Sequence, residues 1–179
     1  KNPDIYRQLK SIVHRHRGGG PVLIGGDFNA DIQSTDAAGN RAVGAHTYDR
    51  EHESEIKDEG MISNRDELLD FCTSQGYIIA NTWYHKSETQ KITWKRPGTT
   101  PEHSKIRGHY AVKDYWLTPS RWRNGVQDCE SDFYHNINTD HYPLRINIML
   151  TLQARSQQRK EPKKKYHECN NGENKAYNK

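Results

Sequence analysis

The chain has 179 residues, a formal net charge of +4 and an apolar fraction of 32%, well below the roughly 45–50% of an average globular chain. One domain with a thin core fits that length, while no apolar run approaches the ~20 residues of a membrane helix or the pattern of a secretory signal. Three cysteines, none in a CxxC pair, exclude a disulfide scaffold or zinc ribbon, and Cys72 and Cys129 read as small buried hydrophobes in a reducing compartment.

Charge is unevenly placed. Eight basic and three acidic residues lie beyond residue 150, leaving 19 basic and 20 acidic groups in residues 1–150. The body is close to neutral and the tail is basic.

Asn2-Pro3 has the form of a helix start, a cap followed by proline at the first helical position. Ile5, Leu9, Ile12 and Val13 recur at helical spacing. His14-Arg15-His16-Arg17 bring positive charge to the C-terminal end, where the helix dipole favours it, and Gly18-Gly19-Gly20 stops the helix. His14 and His16 point to different sides of it, which argues against a shared metal.

Pro21 to Gly26 predicts a buried strand, ending abruptly in Asp27-Phe28-Asn29-Ala30. From Asp31 to Ser63 no period is sustained, which predicts a long polar loop of the functional or disordered kind. Asn64, with Glu67 three residues on, reads as a variant capping box. The helix it opens has Leu68, Leu69, Phe71 and Cys72 as its buried stripe and Gly76 as its stop.

Tyr77 to Asn81 then predicts a buried strand, and Lys91 to Trp94 a shorter one. A polar loop follows over 95–108. Tyr110 to Leu117 predicts one strand, Pro119 to Arg123 a single helical turn, and Gly125 to Glu130 another short strand. In the last strand Leu144, Ile146, Ile148 and Leu150 alternate with Arg145, Asn147 and Met149, giving one buried face. Gln153 to Lys179 has the composition of a disordered or solvated segment. The chain thus divides into an α/β or α+β body over 1–150 and a basic tail over 151–179.

Three polar constellations sit on these strands. Asp27 and Asn29 follow the first strand, Asp114 lies inside an apolar one, and Asp140-His141 precedes the last. An unpaired carboxylate in an apolar strand is costly, and His141 is the natural partner for Asp114. Taken singly, Asp27 and Asn29 fit an Asx turn, and Asp140-His141-Tyr142-Pro143 fits an ordinary loop. The set, in this order at strand ends, favours a site. Trp83, Trp94, Trp116 and Trp122 lie in or beside predicted elements and read as core or sheet-edge packing rather than base-stacking platforms. Alternation sends Lys113 to the face opposite Asp114, toward the core, from which it would have to snorkel.

Ile24-Gly25-Gly26-Asp27-Phe28-Asn29-Ala30 resembles the GDFNA motif of the endonuclease/exonuclease/phosphatase superfamily. Asp114-Tyr115-Trp116-Leu117 resembles its DY-hydrophobic motif, and Thr139-Asp140-His141-Tyr142-Pro143-Leu144 its SDHxPL motif. Asn64-Arg65 with Leu68 to Cys72, Ile79-Ala80-Asn81-Thr82, Ile92-Thr93-Trp94 and Arg121-Trp122-Arg123 are similar to the apurinic-type endonuclease domains of non-LTR retrotransposons, which precede a reverse transcriptase. The likeness runs from about residue 20 to about residue 150.

The resemblance implies a DNase I-like, four-layered α/β sandwich, of which this chain carries mainly the second sheet with two flanking helices. It implies DNA as substrate and magnesium as cofactor, with manganese as a substitute. Asp27 would activate the attacking water, Asn29 would position it, and His141, oriented by Asp114, would bind the scissile phosphate. Asp140 would face the metal and Thr93 would line the phosphate pocket. The superfamily's earlier half, with its Asn, its metal-binding Glu and its Tyr, has no counterpart here, so the resemblance implies a C-terminal half that is incomplete as a nuclease by itself. A phosphatase or lipid phosphodiesterase of the same superfamily is a second reading, and a non-catalytic nucleic-acid-binding remnant a third. The tail, Arg155 to Lys165 above all, reads as a phosphate-contacting or nuclear-import segment or as a solvated linker. An intracellular, nuclear setting without a membrane partner is expected.

Overall fold

A computed structural model describes residues 3–16, 18, 20–48, 59–99, 109–135 and 138–151. Helix α1 (Pro3–His16) leads through the glycines to strand β1 (Ile24–Asp27). A single-turn helix α2 (Ser34–Ala37) and the long α3 (Glu59–Gln75) follow. Strand β2 (Tyr77–Ile79) runs into 3-10 turns at Ala80–Trp83 and Glu88–Gln90. Strands β3 (Trp94–Lys95), β4 (Tyr110–Ala111) and β5 (Asp114–Pro119) come next. A 3-10 turn at Ser120–Gly125 precedes β6 (Val126–Ser131) and β7 (Leu144–Ile148).

Helices are thus mixed with antiparallel sheets, and every strand pairing among the described residues is antiparallel. The central sheet has the order β1-β5-β2, while β3-β4 and β6-β7 form two-stranded ribbons. Alternation divides β5 between two faces. Tyr115 and Leu117 turn to the helices and join Val13, Leu68, Phe71, Cys72, Tyr77 and Ile79 in the main core. Burying each large apolar side chain there contributes about 1.5–3 kcal/mol. On the other face Trp116 lies over Gly25, its register partner, and its Nε1 donates to the Leu144 carbonyl of β7 at 3.2 Å. A Cβ at Gly25 would sit 2.7 Å from that indole, which is why the strand has glycine there. No described helix is long and apolar enough to cross a membrane.

Several expectations need correction. Asn64 does not cap a helix: it lies inside α3, which begins at Glu59. The segment after Asp31 is not wholly a loop, because α2 forms and Ile32, Ala42, Val43 and Tyr48 are buried. Its apolar residues are too sparse to show a period, yet these four fill the core. Backbone pairing also anchors it, with Ile79 N donating to Ala42 O at 2.8 Å and His46 N to Thr82 O at 2.9 Å. The close approach leaves no room beside Gly44, where a Cβ would meet the Thr82 carbonyl at 2.2 Å.

Tyr110 to Leu117 is two strands in two sheets, with Val112 and Lys113 as the crossing. Lys113 is accordingly half-buried, its ammonium 3.7 Å from the Trp94 ring centroid and outside the core. Strand β1 starts at Ile24 rather than Pro21 and is exposed from Gly25 to Asp27 instead of buried, because it is an edge strand; β2 ends at Ile79, and β3 starts at Trp94. In α1, Val13 is buried but Ile5 and Ile12 are 51% and 44% exposed. The last strand keeps its alternation, but Leu144, Ile146 and Ile148 are half-buried and Leu150, beyond its end, is exposed.

Of the α3 stripe, Leu68, Phe71 and Cys72 are buried and Leu69 is half-buried, and the Gly76 stop, at φ +70°, is as expected. Cys72 and Cys129 are free and buried, and burial pushes each thiol up to about 12. The Asn2 cap, most of the 95–108 loop and the tail beyond residue 151 lie outside the described residues.

Candidate active site

Asp27 ends β1 and Asp114 begins β5, and the antiparallel register makes them direct partners at one end of the central sheet. The adjoining β3 brings in the third component. Trp94 forms a bridge to His141, flanked by backbone bonds from Tyr142 N to Thr93 O and from Lys95 N to Asp140 O, both at 2.8 Å. Three segments far apart in sequence thus converge.

His141 Nδ1 lies 2.9 Å from Asp114 Oδ2. A carboxylate partner fixes the proton on Nδ1, so Nε2 is the free nitrogen. That Nε2 faces Asp27 Oδ2 across 4.0 Å, too far for a direct hydrogen bond. The Asp27 and His141 side chains are 48% and 31% exposed, and Asp114 behind them 19%. The exposed pair is open to a ligand and the orienting carboxylate is set back.

The Asx turn also forms. Asn29 N donates to Asp27 Oδ1 at 2.8 Å, and Asn29 takes a left-handed φ of 44° that asparagine tolerates better than most residues. The turn fixes one Asp27 oxygen and leaves the other toward His141. Asn64 Nδ2 holds this turn by donating to Asn29 O at 3.1 Å, and Phe28 N donates to Lys113 O at 2.9 Å. Beneath it the buried Tyr115 hydroxyl accepts from Ile32 N at 3.3 Å and lies 3.2 Å from the Ala30 carbonyl.

Thr93 requires a correction. It is fully buried, and its Oγ1 accepts the amides of Lys113 and Asp114 at 2.9 and 3.0 Å. It supports the start of β5 and does not line an open phosphate pocket. Asn81 does similar work from the other side, with Nδ2 donating to Asp114 O at 3.0 Å and Oδ1 accepting Trp116 N at 2.9 Å.

Asp140 is half-buried beside this group. Trp94 Nε1 donates to its Oδ2 at 2.8 Å, and that bond, before any other influence, holds its carboxyl below the usual aspartate value. Trp94 therefore does more than the packing expected of it. Asn64, Asn81, Trp94 and Tyr115 are the supporting residues that sequence reasoning did not assign. Their signal was present, since each stands in one of the matching motifs, but each makes a supporting bond to a residue 33 to 85 positions away.

As a donor set the site offers hard carboxylate oxygens from Asp27 and Asp140. Its imidazole is committed to Asp114, and neither buried thiol reaches it. That chemistry fits magnesium or manganese better than zinc. Among the described residues no group of three or more His, Cys, Asp or Glu side chains converges as a ready-made metal cage. A separate groove of about 620 Å3, between the Glu88–Gln90 turn and the β6-β7 ribbon, includes none of Asp27, Asp114, Asp140 or His141. No protein-family model matches the chain, and no curated protein matches it.

Proposed function

We propose that the chain hydrolyses phosphodiesters in DNA with the help of magnesium, as part of an endonuclease domain like those of non-LTR retrotransposons. In this reading the β1-β5-β2 sheet with α1 and α3 is one side of a four-layered α/β sandwich. A reverse transcriptase is the neighbouring activity. The observation that supports the reading is the 4.0 Å span between His141 Nε2 and Asp27 Oδ2, with Asp114 behind the imidazole. An oxygen about 2.8 Å from each atom fits across that span.

Asp27 Oδ2 accepts a proton from the attacking water, while Oδ1 stays occupied by the Asn29 amide. As the water oxygen bonds to phosphorus, the bond from phosphorus to the departing sugar oxygen breaks and that oxygen takes a proton from solvent; an N–H at His141 Nε2 donates to a phosphate oxygen, with the Asp114 carboxylate holding the imidazole behind it. Asp140, kept ionised by Trp94, is the residue to hold magnesium. That ion, when bound, neutralises charge on the phosphate oxygens.

Nicking of supercoiled plasmid tests the proposal. Activity should require magnesium, vanish with EDTA and be lost in Asp27→Ala and His141→Ala, with the circular dichroism spectrum retained. Nicking that persists in both variants would overturn it. Salt-sensitive DNA binding without any nicking would favour the non-catalytic reading.

A further inference from the structure

We infer that Glu130, which lies outside the candidate active site, is a positioning residue for it. Its carboxylate holds Lys86 and Gln90 on one side and Arg145 on the other. It thereby sets where the segment bearing Thr93 and Trp94 meets the segment bearing Asp140 and His141. The inference rests on the proposed hydrolysis only for its effect on turnover, and its effect on the imidazole stands apart from that reading.

Glu130 sits near the end of β6 with its side chain 16% exposed. Its Oε2 accepts Lys86 Nζ at 2.8 Å and Gln90 Nε2 at 2.9 Å. Its Oε1 accepts from the guanidinium of Arg145, the register partner of Glu130 on β7. Gln90 has a second duty. Its Oε1 accepts Ser87 N at 3.2 Å and Ser87 Oγ at 2.9 Å, which closes the Glu88–Gln90 turn. One carboxamide thus shapes the turn and fastens it to β6.

Both fastened segments run into the site. Thr93 follows Gln90 by three residues, and its Oγ1 accepts the amides of Lys113 and Asp114. Arg145 follows His141 by four. The two segments meet again through Tyr142 N to Thr93 O, Lys95 N to Asp140 O and the bridge of Trp94 to His141. The chain therefore forms a closed circuit, joined at one end by Glu130 and at the other by the site.

Inside that circuit lies the groove of about 620 Å3, bounded by Gln90, Glu130, Leu144 and Arg145 among others. No packed layer fixes the spacing of turn and ribbon there, and the bonds to the Glu130 carboxylate do so instead. Those from Lys86 and Arg145 join two charged groups, which makes them stronger than neutral ones. Lys86, like Glu130, is only 16% exposed, so water screens their bond less than at an open surface. A reacting group displaced by ~1 Å costs about 100-fold in rate, and a fraction of that movement at Thr93 or His141 is enough to be read.

The test follows the imidazole nitrogen NMR shifts of His141, which report how the ring proton divides between Nδ1 and Nε2, beside kcat and KM for nicking. Glu130→Gln turns an amide toward the donors of Lys86 and Gln90. It should move the His141 shifts in the direction that Asp114→Asn moves them, and lower kcat about 10-fold with KM unchanged. Combining it with Gln90→Glu exchanges donor and acceptor and leaves Oε1 for Arg145. The double variant should return kcat to within about twofold of the wild type and restore the shifts, a coupling that independent losses of stability do not produce. Should Glu130→Gln fail to fold, Arg145→Met decides: it opens the circuit at a side chain 65% exposed and should move the shifts the same way. Asp128→Asn is the control, because it removes the other carboxylate bound to Lys86, at 2.8 Å, and spares Gln90 and Arg145. Unmoved shifts in Glu130→Gln or Arg145→Met would overturn the inference, as would a double variant that restores nothing or an equal displacement by Asp128→Asn. The shifts need no turnover: shifts that respond where nicking is absent sink the hydrolysis reading alone, and unresponsive shifts beside normal nicking sink this inference alone.

Discussion

Asp114 Oδ2 and His141 Nδ1 stand 2.9 Å apart although 27 residues separate them in the chain. Neither is held by its partner alone. Thr93 and Asn81 bind the main chain of Asp114 on two sides, and the bridge to Trp94 places His141. The pair is therefore fixed before any ligand arrives, which is what an oriented imidazole requires.

Replacing Asp114 by Asn preserves shape but lets a carboxamide stabilise the wrong imidazole tautomer and removes the charge behind an imidazolium. In the nicking assay kcat should fall about 100-fold or more, by analogy with other oriented histidines. Urea midpoints should move little. A variant with wild-type kcat would show that the pair has no part in the reaction.

Trp94→Phe removes the strongest support for the Asp140 carboxylate. A carboxyl whose folded pKa is depressed adds stability above its unfolded value of 3.8, and that stability is lost as pH falls through the folded pKa. The Asp140 carboxyl titration, followed by carbon NMR, should therefore move up toward 3.8 in the variant. An unmoved midpoint would remove Trp94 from its assigned role.

Lys86 ties the turn before β3 to β6 through Asp128 and Glu130, at 2.8 Å each. Glu130 also takes Arg145 and Gln90. The Lys86 hydrogen bond, ahead of other influences, lowers the Glu130 carboxyl; burial opposes the Lys86 charge, but its two carboxylate partners raise its pKa overall. Stability from this cluster should be full between the unfolded values of 4.5 and 10.5, fall below the first as Glu130 protonates, and fall above the second as Lys86 deprotonates. Lys86→Met should cost about 1–3 kcal/mol at pH 7, and chemical denaturation at pH 4 should show a smaller difference from the wild type.

Gly25→Ala should cost about 1–3 kcal/mol through the clash with Trp116. It should also change the near-ultraviolet dichroism of the indole. Gly26→Ala is the matched control, since a Cβ there meets nothing within 4 Å. Equal stability of the two variants would contradict the packing of Trp116 on β1.

Cys72 and Cys129, with thiols pushed up to about 12, should react slowly with a disulfide reagent at pH 8. A Cys169→Ser chain isolates the two. Labelling within minutes before urea is added would show that one of these sites opens.

The sequence by itself determined the strongly periodic elements: α1, the stripe of α3 with its glycine stop, and the alternation of β7. It also marked Asp27, Asn29, Asp114, Asp140 and His141 as one set, because polar groups at the ends of apolar strands stand out against their flanks. Tertiary structure decided what local pattern does not encode. The break at Val112-Lys113 sends one apolar run into two sheets, since pairing partners rather than propensity end a strand. Asn64 entered a helix interior because packing outweighs a cap signal worth only about 1 kcal/mol. Ala42 became core through its bond from Ile79 at the end of β2, with Ile32 and Val43 buried in the same cluster, and Thr93 was drawn beneath β5 instead of facing a ligand. The composition suggested a thin core, and the fold supplies the reason. The apolar residues concentrate between α1, α3 and one face of a three-stranded sheet, while the site is held largely by hydrogen bonds to main chain that can be read only once distant segments meet.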